Sequence, residues 1–183
     1  MPAYDIVSEK ELVEGCIRQD SKYQEMLYRK YAKNMFGVCL GYAKDHATAK
    51  DILQDGFIKI FKKIDKFSWQ GSLEGWIRRI IINTAIDDYR KSVRQKEYYV
   101  EPEEKLINIG YNNVLEELNT TDVVKLIHFL PEGARVIFNL YTIEGYGHKE
   151  IAEQLGISEG TSKSQYARAK KLLQDMILED AYV

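Results

Sequence analysis

One stretch near the C-terminus, residues 144–173, limits the possible folds most: EGYGHKEIAEQLGISEGTSKSQYARAKKLL. Apolar residues at helical spacing predict a first short helix. They are Ile151, Ala152 and Leu155. Gly156 follows where a left-handed C-terminal cap is needed, and Ser158 can cap a second helix by accepting a hydrogen bond from the Thr161 amide. Two helices joined by such a turn predict a helix-turn-helix, whose second helix can enter the major groove of DNA.

The second helix of this pair has two faces. Ala167, Leu172 and Tyr166 are expected to pack inward. Short polar or cationic side chains occupy the remainder, as on a surface that enters the major groove. They are Thr161, Ser162, Lys163, Gln165, Arg168 and Lys171. An ordinary corner of a helical bundle would show the same turn, so the rest of the chain must decide between the two interpretations.

Composition favours a folded, cytoplasmic protein without a metal site. The 183 residues are 45% hydrophobic, enough for one domain or two small ones. No apolar run approaches the roughly 20 residues of a membrane span, and the N-terminus lacks the pattern of a secretory signal. Cys16 and Cys39 are too few and isolated for a disulfide framework or zinc site, so we expect small core residues.

Charge is divided unevenly along the chain although the net charge is only −2. Residues 21–96 contain 16 basic and 8 acidic side chains, whereas residues 97–128 contain 2 and 7. A basic block is the better candidate for contact with phosphates. The sequence therefore predicts nucleic-acid contact within residues 21–96, followed by an acidic connection.

Capping residues and apolar periodicity predict four helices in the first half of the chain. The caps are Ser8 with Glu11, Ser21 with Gln24, Asp45, and Ser72. The third helix buries a broad apolar stripe, and its other face includes Asp51, Gln54 and Asp55, which suits docking of a basic partner. The fourth helix carries cationic and amide groups, namely Arg78, Arg79, Asn83, Arg90, Lys91 and Arg94.

Residues 67–71 (FSWQG) interrupt the helical period between these last two helices and predict a short exposed loop. Trp69 is expected to be exposed and Trp76 to lie in the core. Single-stranded nucleic acid is held by aromatic stacking combined with a cationic track, each stacked base contributing about 1–3 kcal/mol. Trp69 ahead of a cationic helix fits that chemistry.

The remaining chain predicts an all-α fold of two small helical domains, the second a helix-turn-helix bundle. Domain one is residues 1–95, an acidic linker with a short helix near Leu115 is 96–118, and domain two is 119–183. In the second domain, one helix opens at Thr121 or Asp122 and passes through Ile127, and Pro131 begins the next.

Three groups of residues then form a recognisable pattern. The first is residues 49–55 (AKDILQD) with Phe57 and Phe61. The second is Phe67, Gly71, Trp76, Ile77, Ile80, Asn83, Asp87 and Arg90. The third is Leu130, Pro131, Arg135, Phe138, Leu140, residues 144–146, 150–152, 155–156, 158–161 and 163–164, Arg168 and Ala169. In this order the chain resembles, from Tyr23 to Leu173, an extracytoplasmic-function sigma factor, the promoter-recognition subunit of bacterial RNA polymerase.

The resemblance implies a transcription-initiation role with neither catalytic residues nor cofactor. Polymerase docking falls on Asp51, Gln54, Asp55 and Phe57. Recognition and melting of the minus-ten element fall on Ser68, Trp69, Gln70, Gly71, Arg78, Arg79, Asn83, Arg90 and Lys91. Recognition of the minus-thirty-five element falls on Thr161, Ser162, Lys163, Gln165, Tyr166, Arg168 and Lys171.

Within the last group, Lys163, Arg168 and Lys171 are expected on phosphates, while Thr161, Ser162 and Gln165 reach base edges. Ser162 stands where the family pattern often has an aliphatic residue, and Gln165 where it often has arginine. The implied partners are core RNA polymerase, promoter DNA in duplex and melted form, and an anti-sigma factor, with no small-molecule substrate.

Two other functions fit part of the sequence. A freestanding helix-turn-helix regulator would use the N-terminal bundle to sense a ligand or dimerise. A helical hydrolase would hold a metal with Asp51 and Asp55, or with Asp87 and Asp88. Adjacent Asp87 and Asp88 point to different helix faces, and the three histidines lack metal-ligand spacing, so the hydrolase fits poorly.

Overall fold

The computed structural model describes residues 7–98 and 126–180, and every regular element in these ranges is helical. The helices are α1 (Glu9–Ile17), α2 (Ser21–Tyr42), α3 (His46–Lys63), a 3₁₀ turn (Ile64–Lys66), α4 (Leu73–Tyr98), α5 (Glu132–Phe138), a π-helix (Asn139–Ile143), α6 (His148–Leu155) and α7 (Glu159–Asp180). Residues 126–128 are also helical. The predicted all-α class is confirmed.

Helix starts follow the capping chemistry of the sequence with one correction. Ser8 and Glu11 form the predicted capping box of α1, and the Ser72 hydroxyl accepts a bond from the Gly75 amide at the start of α4. The predicted box of Ser21 with Gln24 is wrong. The side chain of Asp20 instead accepts from the Lys22 amide at 2.9 Å, so α2 begins one residue earlier than a Ser21 cap would allow.

The chain divides into two compact units, each with its own core. The first unit comprises Met1–Leu40 and Ala47–Ala85. Its buried side chains come from α1 to α4, among them Leu12, Leu27, Met35, Ile60, Ile64, Leu73, Ile77 and Ile81. Helices α3 and α4 approach closely at Gly56, where an added Cβ would overlap the Ile81 side chain. A larger residue at position 56 would require the Ile81 side chain to shift.

The second unit comprises Gly41–His46 and Ile86–Val183. One buried cluster joins residues 126–130 and α5 to the middle of α7; its members are Ile127, Leu130, Ala134, Ala169 and Leu173. Burial of Val136, Ile137, Leu140, Ile151 and Leu155 continues this core through the π-helix and α6. The predicted helical bundle with a helix-turn-helix is confirmed.

Two side chains of the α5 region hold the end of α2. Arg135 donates from Nη2 to the Ala43 carbonyl at 2.6 Å, and Asn139 donates from Nδ2 to the Gly41 carbonyl at the same distance. These contacts group residues 41–46 with the second unit, although the sequence assigns residues 1–95 to domain one. The boundaries drawn from the sequence stay a prediction.

Some predictions concern residues outside the described ranges. The short helix near Leu115 and the start of a helix at Thr121 or Asp122 both belong to this category. Helix α4 continues to Tyr98, past the predicted start of the linker at residue 96. Among the helices in the described ranges, none is long and apolar enough to cross a membrane.

Candidate nucleic-acid interface

The turn between α6 and α7 has the predicted geometry. Gly156 adopts φ 71° and ψ 34°, the left-handed conformation that a β-carbon disfavours. The amides of Gly156 and Ile157 both donate to the Ala152 carbonyl, which closes the C-terminus of α6. The Ser158 hydroxyl accepts from the Thr161 amide at 2.9 Å, so Ser158 caps the N-terminus of α7 as predicted.

The exposed face of α7 carries most of the residues expected on duplex DNA. Thr161, Lys163, Arg168 and Lys171 are exposed, while Gln165 and Tyr166 are partly buried. Lys163 lies 2.7 Å from Glu159, one helical turn earlier, and this hydrogen bond is the main cause that lowers the pKa of Glu159. Lys163 therefore already has an anionic neighbour on the exposed face.

Two residues of α7 lie on the opposite face from the one predicted. Ser162 is fully buried, and its hydroxyl shares a 3.0 Å hydrogen bond with Nδ1 of His148. The prediction that Ser162 reaches base edges is therefore wrong. Ala167, expected to pack inward, is exposed, since the inward stripe of α7 follows Ser162, Ala169 and Leu173 at helical spacing.

An aromatic cluster fixes the first turns of α7, and sequence reasoning missed it. The Tyr141 ring stacks on His148 at 4.4 Å and meets the Tyr166 ring at 4.5 Å. The Thr142 hydroxyl donates to the Tyr166 hydroxyl at 3.4 Å. Tyr141 and Thr142 belong to the π-helix, a rare conformation that is frequent at functional sites. The cluster therefore orients Tyr166 and the exposed face beside it.

The loop before α4 presents an aromatic ring to solvent. Trp69 is 50% exposed, as predicted, and its ring centroid lies 4.8 Å from that of Phe67. Its backbone is left-handed, with φ 62°, a conformation that costs a bulky residue about 1–3 kcal/mol and recurs at ligand-binding sites. Trp76, on α4, is partly buried, and its ring centroid lies 5.6 Å from that of Phe67. The Phe67 ring thus packs against the exposed Trp69 ring and supports it.

Helix α4 continues this loop with cationic and amide groups. Arg79, Asn83, Lys91 and Arg94 are exposed, and Arg78 and Arg90 are partly buried. At 1.5 Å of rise per residue, positions 78–94 cover about 24 Å of helix. That length matches several nucleotide spacings of an extended strand, so α4 can provide more than one phosphate contact.

The acidic face of α3 is exposed as predicted, with one correction. Asp51, Gln54 and Asp55 are all exposed, whereas Phe57 is only 3% exposed and packs edge-on against the Tyr28 ring at 4.7 Å. A side chain so buried cannot contact a partner directly. Phe57 instead supports this face from inside the helical bundle. In the described ranges, no three His, Cys, Asp or Glu side chains group as a metal site would require.

Comparison with known protein families decides between the interpretations. Residues 27–95 match the family described as Sigma-70 region 2, and residues 121–173 match Sigma-70, region 4. Together the two matches cover about two thirds of the chain. This chain belongs to the Sigma-70 family of sigma factors. The first matched range contains α3, the 67–71 loop and most of α4, and the second contains the helix-turn-helix.

Individual relatives match this chain over nearly its whole length, and several are named extracytoplasmic-function (ECF) sigma factors. With the two family matches, they identify this chain as an ECF sigma factor. The ECF RNA polymerase sigma-E factor of Haemophilus influenzae is 25% identical over 182 residues, covering 93% of this chain and 96% of that protein. The RNA polymerase sigma-H factor of Pseudomonas aeruginosa is 27% identical over 188 residues, with 93% and 96% covered.

Solved structures are also similar to this ECF sigma factor. The sigma factor RpoE, in complex with the anti-sigma factor NepR from Bartonella quintana, has a TM-score of 0.49 at 22% identity, with 84% of this chain and 95% of that chain covered. CnrH, in complex with the cytosolic domain of CnrY, has a TM-score of 0.49 at 20% identity, with 92% and 96% covered.

Proposed function

We propose that this ECF sigma factor binds core RNA polymerase, directs it to specific promoters and initiates transcription by recognising the minus-thirty-five element and melting the minus-ten element. The polymerase supplies the catalysis, so the chain needs neither a catalytic residue nor a cofactor. One observation carries the proposal above all: the exposed, strained Trp69 and a capped helix-turn-helix occur on one chain of this family.

Duplex recognition is assigned to α7. Thr161 is exposed and Gln165 partly exposed in the N-terminal half of α7, the part of a recognition helix that contacts base edges. Arg168 and Lys171 are exposed further along the helix, where they can contact phosphates. Phosphate contacts fix register and supply most of the salt-dependent affinity, whereas base-edge contacts choose the sequence. Burial of Ser162 leaves Thr161 and Gln165 as the main candidates for that choice.

Capture of melted DNA is assigned to the 67–71 loop and α4. A base that leaves the stack needs an aromatic surface, and the exposed Trp69 ring provides one. Cationic groups on α4, such as Arg79 and Lys91, would hold the phosphates of the same strand. Melting is then favoured because stacking of the extruded base on Trp69 offsets the stacking that the base loses when it leaves the duplex.

Polymerase binding is assigned to the exposed face of α3 with Asp51, Gln54 and Asp55.

We also propose an anti-sigma factor that covers the exposed faces of α3 and α7, as is common in the family. The proposed location is the cytoplasm, where polymerase and DNA are both present. Capture of such a partner by the tagged chain in its host, and its loss when exposed α3 or α7 residues are changed, would test that assignment.

In vitro transcription tests the proposal directly. Core polymerase from the host is assayed with and without this chain on fragmented genomic DNA, and start sites are mapped. New, discrete start sites are expected only when the chain is present. A freestanding helix-turn-helix regulator would instead bind a duplex sequence alone and create no start sites with core polymerase, and that result would refute the proposal.

The α3 assignment has its own test, the charge reversal Asp55→Arg. Asp55 is exposed, so the variant should fold, while binding to core polymerase should fall at least tenfold through repulsion at a site that fits a basic partner. Glu14→Arg is the matched control, because Glu14 is also an exposed helical carboxylate but lies outside residues 27–95. Equal retention of core polymerase by both variants would contradict the assignment.

A further inference from the structure

The first two turns of α7 are anchored by a polar side chain, unlike the middle of the helix. Ala169 and Leu173 join α7 to α5 through the buried cluster of the second unit. Within residues 159–166, by contrast, Ser162 is the one fully buried side chain, at 0% exposure. The two candidates for base-edge contact belong to these same turns. The position of the part of α7 that would meet bases therefore depends on Ser162.

Ser162 meets His148, the first residue of α6. Its hydroxyl shares a hydrogen bond of 3.0 Å with Nδ1 of His148. A serine inside a helix commonly bonds to the backbone carbonyl one turn before it, within the same helix. Here the hydroxyl bonds across to α6 instead, so it joins the two helices of the helix-turn-helix near their N-termini. A hydrogen bond is directional, whereas apolar contact is not, and so this bond restricts the rotation of α7 about its axis.

The imidazole of His148 is held by aromatic rings on its other sides. It stacks on the Tyr141 ring at 4.4 Å with an interplanar angle of 16°, and the Tyr166 ring meets it edge-on at 5.6 Å. Tyr166 lies on α7, one helical turn after Ser162. A ring fixed in this way presents Nδ1 to Ser162 from one direction, as a positioning contact requires.

We infer that His148 and Ser162 form a positioning pair, which sets the rotation of the first turns of α7 and thereby determines which bases this chain prefers in the minus-thirty-five element. The inference rests on the proposed function and refines its duplex recognition. Ser162 is buried, so it acts through its neighbours Thr161 and Gln165. Base-edge hydrogen bonds tolerate displacements of only about 0.5 Å, so a small rotation of α7 changes the preference.

The structure separates base preference from phosphate binding. Arg168 precedes Ala169, and Lys171 lies two residues before Leu173, so both cations belong to the part of α7 that the apolar cluster holds. Loss of the bond in the positioning pair should therefore leave the phosphate contacts in place. A contact that only stabilised the fold would instead weaken binding to every sequence equally.

Base preference is measured with holoenzyme assembled from host core polymerase and the full chain. The probe is a promoter fragment with a mapped start site and random bases across the minus-thirty-five element, and the bound fragments are sequenced. Ser162→Ala removes the hydroxyl, whereas His148→Phe keeps a ring for Tyr141 but removes Nδ1. Each variant should lose about tenfold in discrimination between the preferred base and the others, the effect of one misplaced base contact.

Two further variants isolate the hydrogen bond. The double variant of Ser162→Ala with His148→Phe should lose about tenfold rather than about 100-fold, because both changes break the same bond. His148→Asn should keep most of the discrimination, since an asparagine δ atom lies as many bonds from Cα as Nδ1 does and can hydrogen-bond the hydroxyl. His148→Asn loses the ring that stacks on Tyr141, so it also distinguishes the hydrogen bond from the stacking.

Ser92→Ala is the matched control. The Ser92 hydroxyl donates to the Tyr89 carbonyl at 2.8 Å within α4, and Ser92 lies outside residues 121–173. Its loss should change the preference at the minus-thirty-five element less than twofold. In every variant the slope of log affinity against log salt concentration should stay within about half a unit, because the phosphate contacts are kept. Circular dichroism checks folding.

Lower discrimination in both single variants, its retention in His148→Asn and an unaltered salt slope would support the positioning pair. An equal loss of affinity for every sequence would overturn the inference, and so would an unchanged preference in both single variants. Should Ser162→Ala fail to fold, the comparison of His148→Phe with His148→Asn decides. If the unchanged chain gives start sites but no preference at the minus-thirty-five element, the inference is also overturned. If it gives no start sites with core polymerase, the proposed function itself fails.

Discussion

Arg135 offers the sharpest test of how the second unit is held together. Its side chain is 1% exposed and donates to three carbonyls: His128 at 3.1 Å, Leu130 at 3.5 Å and Ala43 at 2.6 Å. Replacement by Met keeps most of the length and volume but removes every donor. Arg135→Met therefore isolates the hydrogen bonds from the packing.

The expected cost follows from those distances. The Leu130 bond is at the limit of useful length, so two bonds carry most of the energy. A hydrogen bond from a charged donor contributes about 1.5–3 kcal/mol, and a buried carbonyl left without a donor costs a similar amount. Apolar burial of the Met side chain offsets part of the loss. We expect Arg135→Met to lower the free energy of unfolding of the second unit by about 3 kcal/mol.

Native-state hydrogen exchange measures this loss unit by unit. A 3 kcal/mol loss should speed exchange in α5, α6 and α7 about 100-fold where exchange requires opening of the unit. Peptides from α1 and α3 should be unchanged. Arg29→Met is the control: Arg29 is 64% exposed, pairs with Glu25 one turn away, and should cost under about 0.5 kcal/mol. A loss below about 1 kcal/mol for Arg135→Met would refute the reasoning.

Three further predictions use single residues. Burial first, and then the Arg135 charge, lower the pKa of His128 from its ordinary 6.5 to about 4. The part of the unfolding free energy that depends on neutral His128 is therefore fully present above pH 6.5 and falls by up to about 3 kcal/mol as the pH drops to 4. Urea titrations at several pH values measure this fall. No such fall, or an equal fall in His128→Gln, would contradict the prediction. Trp69→Ala should impair open-complex formation more than closed-complex formation, and equal loss of both in permanganate footprints would remove Trp69 from the stacking role. Arg168→Ala should weaken promoter binding by the holoenzyme and reduce, by about one unit, the slope of log affinity plotted against log salt concentration. An unaltered slope would exclude a phosphate contact by Arg168.

The sequence predicted the parts of the fold that depend on near neighbours. The capping box at Ser8, the caps at Ser72 and Ser158 and the left-handed Gly156 each involve residues within four positions of one another. The same local reasoning placed Trp69 on an exposed loop, since polar residues and glycine break the helical period around it. Asp20 is the exception, because two adjacent residues could each cap α2 and only the backbone geometry chose between them.

Ser162 shows where local reasoning ends. A polar residue on a basic helix fits the exposed face by chemistry, but Ser162 lies on the inward stripe of α7 with Ala169 and Leu173. His148, 14 residues earlier, supplies the hydrogen-bond partner that the buried hydroxyl needs. One signal existed in the sequence: the family often has an aliphatic residue at this position, which is typical of a buried site. For Phe57 the signal was the apolar stripe of α3, which the sequence predicts to face inward; the ring packs there against Tyr28 of another helix.

By itself the sequence determined most of the helices, several of their ends, the helix-turn-helix and the family, because helical period and capping act over one or two turns of chain. Only the tertiary structure decided which side chains of each helix stay exposed for partners. Contacts such as Arg135 with Ala43 and Asn139 with Gly41 join residues 92 and 98 positions apart, and no local pattern encodes them. Burial is set by such distant neighbours, and so the structure places Ser162 inward and leaves Ala167 exposed.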